Sequence, residues 1–365
     1  RRQRQMCIRD RAGVAYLVKN GRTFEGKTVT LSGNIDLDGL KWEPIGKANL
    51  QQIFKGVFDG GGYEIHNLRS EVISTGEAYS GLFGAIYQAR VTRVVLAEDC
   101  EIRTSYYGGG VVAYAQETEI VSCENRASVS FEGPAGYVGG IAGYVSTSSI
   151  DRCENLGVVT GTVQPSDNYA SCLVYTGGIA GVNQGATIIN NSNHAAVAVE
   201  ALPEYDSCAG GIVGYNSGSS VAFIANCYNA AGVRLSGAGF AGGILSYTDN
   251  GDVRVANCYN VGTVSGVPGK SYPIVPILSA DSEDCYYLMN CVEGEGSYAG
   301  TALTVDYMKS TAFAARLNDW SKTNNSSETG RQTLYWKVED AENDGYPVFT
   351  DQDPCLLYTS DAADD

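Results

Sequence analysis

The regular spacing of the cysteines raises the question of thiol and disulfide chemistry. Cysteines return at the same place in successive segments of about 30 residues, with Asn191 at one intervening position: Cys123, Cys153, Cys227, Cys258 and Cys285. Neighbours in a parallel stack lie about 4.8 Å apart, whereas the Cβ atoms of a disulfide lie about 3.8 Å apart. We therefore predict that Cys123, Cys153, Cys227 and Cys258 point inward as unpaired thiols. The alternative is a set of disulfides between segments in an oxidising compartment.

Metal-ion and catalytic chemistry would need groups of side chains that this sequence does not bring together. It has no Cys-x-x-Cys, no Cys/His cluster and no His-Glu-x-x-His, and we predict that His66 and His194 are exposed or packed singly. The Asp-Gly-Gly-Gly of residues 59–62 lacks a P-loop ending and is predicted as a turn. The Asp-Leu-Asp-Gly of residues 36–39 lacks the long calcium loop that ends in Glu. We predict no catalytic, cofactor-binding or metal-binding residue.

The chain is acidic and rich in glycine and tyrosine. Its 365 residues include 41 Asp and Glu against 25 Lys and Arg, which gives a net charge of −16, with 45 Gly and 24 Tyr. Such acidity argues against a nucleic-acid partner, because sequence-independent binding needs a basic surface. No apolar stretch approaches the roughly 18–20 residues of a membrane span. We therefore expect no nucleic-acid partner, no membrane span and a monomer.

A glycine-rich motif repeats through the middle of the chain at intervals of 29 to 38 residues. Six copies are recognisable, beginning at Ser80, Gly109, Gly139, Gly177, Gly210 and Gly242. The cysteine column follows each copy by about 14 residues, in contexts such as Cys-Glu-Asn at residues 123–125 and Cys-Tyr-Asn at residues 227–229. Two columns that recur together indicate a structural repeat.

Short alternating runs between glycine and asparagine turns predict strands instead of helices. Examples are Ala-Ser-Val-Ser-Phe at residues 127–131 and the run at residues 158–163. Several short strands per repeat, stacked on their copies, predict an all-β fold: a parallel β-helix, or β-solenoid, with coils of roughly 30 residues. Each Gly-Gly-Ile copy should hold the same coil position, which can be tested at Ile141, Ile179 and Ile212. The 38-residue coil should carry its extra residues in a loop at residues 164–171.

The repeats resemble GLUG motifs. The Gly-Leu-Phe-Gly of residues 81–84 and the later Gly-Gly-Ile-x-Gly copies carry the likeness, which covers most of residues 12–349. Only the first copy has Leu-Phe, and Ser246 replaces the last glycine of the sixth. GLUG motifs occur in large bacterial surface and secreted proteins, including adhesins and the N-terminal regions of IgA-specific metallopeptidases. The resemblance implies a secreted or cell-surface location and carries little information about activity.

The regions beside the repeats predict irregular first coils and a C-terminal cap. Residues 12–79 should begin with a short helix at 12–20, and residues 80–292 hold the repeats. Residues 293–354 should form a small cap with one helix at 304–320, in which Thr304 is the N-cap. Four apolar residues share one side of that helix: Met308, Phe313, Leu317 and Trp320. Strands at 334–336 and 346–349 should close the solenoid, because open edges aggregate.

The two ends of the chain are related through DNA. One codon choice for residues 355–365 has a reverse complement that, in a shifted frame, encodes residues 1–10. We interpret residues 1–11 and 355–365 as translated sequencing adapter and exclude them from predictions about the fold. Cys7 and Cys355 then fall outside the natural sequence, and a missing signal or anchor carries no information.

Three functions remain open. The favoured one is a non-catalytic structural or adhesive module of a bacterial surface or secreted protein, with a host or cell-surface glycan or protein as its partner. The second is a glycan-binding module that uses six tyrosines, whose alternative role is stacking between coils: Tyr106, Tyr107, Tyr144, Tyr215, Tyr228 and Tyr259. The third is a polysaccharide-degrading enzyme, for which a loop carrying Asp167 or Glu204 would have to complete a site.

Overall fold

A computed structural model of the chain describes residues 6–8, 13–48, 51–72, 78–167, 172–218, 221–249, 253–276, 281–293, 298–325, 332–339 and 341–352. These residues form a parallel β-solenoid of about eight turns. Each turn contributes strands to as many as five parallel sheets, which we number as faces 1 to 5 in the order in which the chain passes through them. The all-β prediction is confirmed.

Faces 1 and 2 are the longest sheets, with ten strands each among the described residues. Face 1 contains Met6–Ile8, Thr28–Leu31, Val57–Asp59, Arg90–Thr92, Glu119–Val121, Ser149–Asp151, Thr187–Ile189, Ala222–Ala225, Val253–Ala256 and Asp281–Glu283. Face 2 contains Ile35–Asp36, Glu64–His66, Val95–Leu96, Glu124–Asn125, Glu154–Asn155, Ser192–Asn193, Tyr228–Asn229, Tyr259–Asn260, Tyr286–Leu288 and Thr301–Leu303. The first strand of face 1 lies in a segment for which the sequence predicts no fold element.

Faces 3, 4 and 5 complete each turn. Face 3 contains Lys41–Trp42, Arg69–Val72, Glu101–Thr104, Ser128–Gly133, Val159–Val163, Val197–Glu200, Val233–Ser236 and Val264–Ser265. Face 4 contains Tyr79–Ser80, Tyr107–Gly109, Ala135–Gly139, Leu173–Gly177, Ser207–Gly210, Gly239–Gly242 and Ser271–Tyr272. Face 5 contains Phe83–Tyr87, Val112–Gln116, Ala142–Ser146, Ala180–Gln184, Val213–Asn216 and Leu245–Thr248. The extra residues of the long coil lie between Val159–Val163 and Leu173–Gly177, as predicted, although residues 168–171 are outside the described residues.

The Gly-Gly-Ile copies hold one position in successive coils, as the sequence predicts. The backbone N–H of Ile141 donates to the carbonyl of Ile179 at 3.1 Å, and that of Ile179 donates to the carbonyl of Ile212 at 2.9 Å. All three side chains are buried in one continuous apolar core. Each coil thus covers the apolar side chains of its neighbours, which is why no coil could bury them alone.

Inside the solenoid, a ladder of fully buried asparagines joins five coils. Its members are Asn125, Asn155, Asn193, Asn229 and Asn260. The side-chain Nδ2 of Asn155 donates to Oδ1 of Asn193 at 2.8 Å and to the carbonyl of Gly157 at 2.9 Å, and the same pair of bonds recurs at Asn125, Asn193 and Asn229. Asn260 ends the ladder, because its Nδ2 meets Sγ of Cys291 in place of an asparagine. The ladder satisfies amide groups that would otherwise be costly to bury.

The second glycine of each Gly-Gly pair makes room for this ladder. A Cβ atom on Gly140 would lie 2.3 Å from Cγ of Asn155 and 2.2 Å from the carbonyl oxygen of Gly178. Gly178 stands in the same relation to Asn193, and Gly211 to Asn229. The Gly-Gly motif and the Cys-x-Asn motif therefore recur together, because the second glycine of the first motif packs against the asparagine of the second.

The cysteine column lies beside this ladder. The nine described cysteines are all buried free thiols: Cys100, Cys123, Cys153, Cys172, Cys208, Cys227, Cys258, Cys285 and Cys291. The thiols of the column approach backbone carbonyls two residues earlier, as Cys227 does with Ala225 at 3.1 Å. Asn191 continues the column by accepting from the N–H of Cys153 at 2.8 Å. The prediction of inward, unpaired thiols is confirmed for the four named cysteines.

Thiol labelling of the native protein should leave these cysteines unmodified. Burial raises the pKa of Cys100 to about 11 and that of Cys208 to about 12, so the reactive thiolate is scarce at neutral pH. We expect iodoacetamide to label all nine only after denaturation, as read by peptide mass spectrometry. A cysteine placed at the exposed Val158 by Val158→Cys is the positive control. Disulfide-linked peptides from this column without added oxidant would contradict the prediction.

The helix predicted at the C-terminus is two helices in the structure. They are Val305–Met308, whose N-cap is Thr304 as predicted, and Thr311–Asn324, whose N-cap is Ser310. The break is due to Ser310, whose hydroxyl accepts from the N–H of Phe313 at 3.3 Å and begins a new helix. The predicted apolar residues are buried: Met308, Phe313, Leu317 and Trp320. The short helix predicted at residues 12–20 is Gly13–Lys19, and its Val14 and Val18 join the main core.

The C-terminal region packs against the side of the solenoid. Its predicted strands form an antiparallel pair, Tyr335–Lys337 and Val348–Thr350, which is separate from the five faces. A second asparagine ladder with positive φ, Asn190, Asn226 and Asn257, stands at the corner of faces 1 and 2. It bonds the backbone of this region through Leu334 and Leu317. The two predicted strands are therefore present, but they cover the flank of several coils, whereas the sequence predicts that they close the end of the solenoid.

Candidate functional site

Two columns of aromatic residues run along the outer sides of faces 4 and 5. On face 4 the backbone register aligns Tyr79, Tyr107, Tyr137, Tyr175 and Phe240, with Cys208 between the last two. On face 5 it aligns Tyr114, Tyr144, Tyr215 and Tyr247, with Val182 between Tyr144 and Tyr215. Every one of these side chains is partly buried. With the adjacent Tyr106, we call them the tyrosine array.

Small residues bring these two faces together. A Cβ atom on Gly139 would lie 2.0 Å from the carbonyl oxygen of Ala142, and one on Gly143 would lie 2.8 Å from that of Tyr137. In the sixth copy Ser246 replaces the last glycine, and its hydroxyl donates to the carbonyl of Phe240 at 3.0 Å. The glycines therefore let faces 4 and 5 approach closely, and the tyrosine array lies along the outer side of this junction.

The rings of the array contact one another along each face and across the junction of faces 4 and 5. Tyr114 and Tyr144 stack with centroids 5.4 Å apart, and Tyr175 and Tyr215 stack across the junction at 4.2 Å. Tyr137 meets Tyr144 edge-on at 5.6 Å. Such pairs stabilise the surface beyond their buried area. Each ring consequently keeps only part of its surface for a ligand.

The phenol groups of the array are suited to hydrogen bonding. Burial raises the pKa of Tyr175 to about 12, and it also raises the pKa values of Tyr137, Tyr144 and Tyr215. A neutral phenol both donates and accepts a hydrogen bond. The array therefore offers apolar ring edges beside hydroxyl groups, which is the combination that a polyhydroxylated ligand such as a glycan can use.

The six tyrosines predicted from the sequence divide into two sets. Four belong to the array: Tyr106, Tyr107, Tyr144 and Tyr215. Tyr228 and Tyr259 are instead buried beneath the C-terminal region, where their rings stack with centroids 5.0 Å apart. The stacking interpretation is therefore confirmed for these two. It is also confirmed for Tyr107, Tyr144 and Tyr215, whose rings stack on Tyr79, Tyr114 and Tyr247 of neighbouring coils.

The side chain of each histidine lies close to one or two carboxylate groups. His66 lies between Asp99, at 3.1 Å from its Nδ1, and Glu64, at 3.2 Å from its Nε2. The contact with Asp99 is the main cause of a raised pKa for His66. His194 places Nε2 3.1 Å from Glu154 and 3.0 Å from the hydroxyl of Tyr228. Both are partly buried, and neither is as isolated as the sequence suggests.

The other sequence candidates are turns and loops. Asp59 accepts from the N–H of Gly61 at 2.9 Å and pairs with Arg93, which makes residues 59–62 the predicted turn. Asp36 accepts from the N–H of Asp38 at 2.8 Å. The loop residues Asp167 and Glu204 are exposed. Within the described ranges, no three His, Cys, Asp or Glu side chains are placed to hold a metal ion, and no helix is long and apolar enough to span a membrane.

Comparison with known proteins supports the fold. A crystal structure described as that of "a putative immunoglobulin A1 protease" from Bacteroides ovatus is similar, with a TM-score of 0.54 and 17% sequence identity. The alignment covers 96% of this chain and 92% of that one. At this identity the likeness shows a shared fold and carries no statement about activity. No protein-family model and no curated protein sequence matches the chain, so the GLUG resemblance rests on the motifs quoted above.

The contacts of His194 could have been found by aligning the repeats on their Cys-x-Asn column. The residue between cysteine and asparagine faces outward, and the column runs Glu124, Glu154, Ser192, Tyr228, Tyr259. His194, directly after Asn193, aligns with Leu156. Residues that are about 30 to 40 positions apart in sequence thereby become neighbours. The alignment would not have shown the C-terminal region that packs over the same column.

Proposed function

We propose that this chain is a non-catalytic structural and adhesive module of a bacterial secreted or cell-surface protein, and that the tyrosine array is its contact surface for glycans. The observation that carries the proposal is the array itself. It presents partly buried aromatic rings and neutral hydroxyl groups on most of the coils of faces 4 and 5, along the junction where these faces approach closely. The GLUG resemblance supports the surface location, and the fold shared with the Bacteroides ovatus protein is consistent with it.

The asparagine ladder supports the structural part of this role. Its buried amide bonds run through five coils without interruption, and the apolar core is continuous with it. A solenoid that is bonded in this way holds its outer surface in a fixed arrangement. The repeated hydroxyl groups can then meet an extended ligand without first being ordered, which favours binding.

Removing two hydroxyl groups from the array should weaken glycan binding about tenfold. Tyr144→Phe with Tyr215→Phe keeps the ring stacks and deletes two hydrogen-bonding groups, each of which contributes about 0.5–1.5 kcal/mol. We expect selected hits from a panel of neutral and acidic oligosaccharides to lose affinity by titration calorimetry. The control is Tyr16→Phe, because Tyr16 is highly exposed on the first helix, far along the chain from the array.

Two results would contradict the proposed function. If no oligosaccharide on the panel binds the chain, the array has no adhesive role toward glycans. If the chain cleaves a polysaccharide or a peptide, and Asp167→Asn or Glu204→Gln abolishes the turnover, the module is an enzyme.

A further inference from the structure

Two of the five faces have strands without charged side chains. Among the described strands, the seven of face 4 and the six of face 5 contain no Asp, Glu, Lys, Arg or His. Faces 1, 2 and 3 each carry several such residues, including Arg90, Glu124 and Arg103. The contrast is sharp in a chain with 41 acidic and 25 basic residues. The tyrosine array therefore lies on the uncharged part of the solenoid.

A row of neutral polar side chains runs beside the tyrosines of face 5. The backbone register aligns Gln116, Ser146 and Gln184 in three successive coils, and we call them the polar row. Each comes two positions after the tyrosine column of that face, so it lies on the same outer side of the sheet. All three are partly buried. The polar row and the tyrosine column thus run in parallel along the axis of the solenoid.

The polar row offers hydrogen-bonding groups in fixed positions. The hydroxyl of Ser146 donates to Oε1 of Gln184 at 3.0 Å. This bond leaves the two N–H donors of the Gln184 amide for another partner, and the oxygen of Ser146 can still accept. Beside it, the rings of Tyr114 and Tyr144 stack at 5.4 Å. Coil after coil, a polar group therefore stands next to an aromatic ring edge.

Carboxylates flank the polar row at both ends. Glu117 directly follows Gln116 and holds a neighbouring side-chain amide at 2.8 Å. Asp249 occupies the same column two coils beyond Gln184. The cation Lys55 precedes Gln116 by two coils and lies over an aromatic ring at 5.2 Å. A ligand on the row meets no charge in its middle and a carboxylate near each end, which disfavours a polyanion.

We propose that face 5 binds an uncharged, extended β-linked glycan whose chain runs along the axis of the solenoid. The inference rests on the proposed function of the tyrosine array and names the class of glycan. A sugar unit of such a chain is nearly as long as the step between neighbouring strands, about 4.8 Å, so successive sugars meet successive coils. Their hydroxyl groups bond the polar row, and their C–H groups pack on the ring edges of Tyr114 and Tyr144.

Titration calorimetry of the full chain with β-1,4-linked glucose oligosaccharides of increasing length tests the inference. From the disaccharide to the tetrasaccharide the affinity should rise about tenfold, because each added sugar meets a further coil. Linear β-1,4-linked xylose and mannose oligosaccharides are titrated in the same way. The β-1,4-linked glucuronic acid tetrasaccharide should bind about tenfold more weakly than its glucose counterpart. Curved α-1,4-linked glucose chains should gain nothing with length.

Gln184→Glu tests the polar row without removing a ring. The new carboxylate keeps an oxygen for the hydroxyl of Ser146 and deletes the N–H donors, so the neutral tetrasaccharide should bind about fivefold more weakly. Gln164→Glu is the matched control, because it adds the same charge at an exposed residue outside the polar row, beside Glu132. Circular dichroism should show both variants folded like the parent.

Four results would overturn the inference. They are affinity that does not depend on chain length, tighter binding of the glucuronic acid series, an equal loss in Gln184→Glu and Gln164→Glu, and a dimer in sedimentation analysis that Gln184→Glu dissociates. The last would assign the uncharged faces to a second copy of the chain. If all three neutral series fail and an acidic or branched glycan binds, this inference alone is wrong. If no glycan binds, the proposed function is wrong as well.

Discussion

Replacing Asn193 with alanine is expected to lower the free energy of unfolding by about 3–5 kcal/mol, because it strands several buried polar groups at once. Asn193 donates to Oδ1 of Asn229 and to the carbonyl of Ala195, and it accepts from Asn155 at 2.8 Å and from the N–H of Ala195. Its side chain is fully buried, so solvent cannot replace these bonds without opening the solenoid.

Urea denaturation followed by far-UV circular dichroism measures this loss. Asn20→Ala is the control, since Asn20 is exposed and its side chain makes a single local bond, to the carbonyl of Tyr16. That variant should stay within about 0.5 kcal/mol of the parent. A change below about 1 kcal/mol in Asn193→Ala would mean that the ladder does not hold neighbouring coils together.

Replacing Trp336 with alanine is expected to cost about 3–5 kcal/mol, and to release the C-terminal region before the solenoid unfolds. The indole is fully buried and donates from Nε1 to Oδ1 of Asn226 at 2.8 Å. It also lies against the rings of Tyr259, at 5.5 Å, and Phe349, at 4.4 Å. The loss should be local because the strand pair of this region shares no sheet with the five faces.

Hydrogen–deuterium exchange distinguishes local release from global unfolding. In Trp336→Ala, amides of the helix Thr311–Asn324 should exchange faster, while those of the strand Ala142–Ser146 keep their protection. Trp336→Phe is the matched control, because it retains a ring and deletes one hydrogen bond, at a cost of about 1–2 kcal/mol. Equal loss of protection along the whole chain would show that the C-terminal region is part of one cooperative unit with the coils.

The solenoid could be predicted from the sequence because its contacts repeat with the chain. Ile141, Ile179 and Ile212 occupy one motif position, so aligning the copies also aligns them in space. Alignment of the copies does not show why the second position of each pair is glycine, because Gly140 packs against Asn155, which belongs to the other motif of the repeat. The two helices at the C-terminus were predicted as one, since the apolar spacing continues through Ser310 and only the hydroxyl bond of that residue ends it.

The sites depend on contacts that no repeat encodes. The tyrosine array includes residues that alignment can place, such as Tyr107 and Tyr137, but their meeting with Tyr144 depends on how closely faces 4 and 5 approach. The cleft between face 2 and the C-terminal strand pair is lined by both Glu154 and Glu342, which are separated by most of the C-terminal half of the chain. Long-range docking of a non-repeating segment is decided by surface shape and buried polar groups, and neither has a sequence period.

The asparagine ladder also determines how the molecule can change its length. Between Asn125 and Asn260, each ladder asparagine donates to the asparagine of the next coil, so the four junctions between these five coils use the same bond. One whole repeat can be duplicated or deleted by cuts at equivalent points such as Glu124 and Glu154. The amide donor of one ladder asparagine then again meets the amide oxygen of the next, as it does in the present chain. Copy number can therefore vary by recombination between repeats without any compensating substitution inside. The coils beneath the C-terminal region are the exception, since that region bonds to Asn190, Asn226 and Asn257 and so fixes their number.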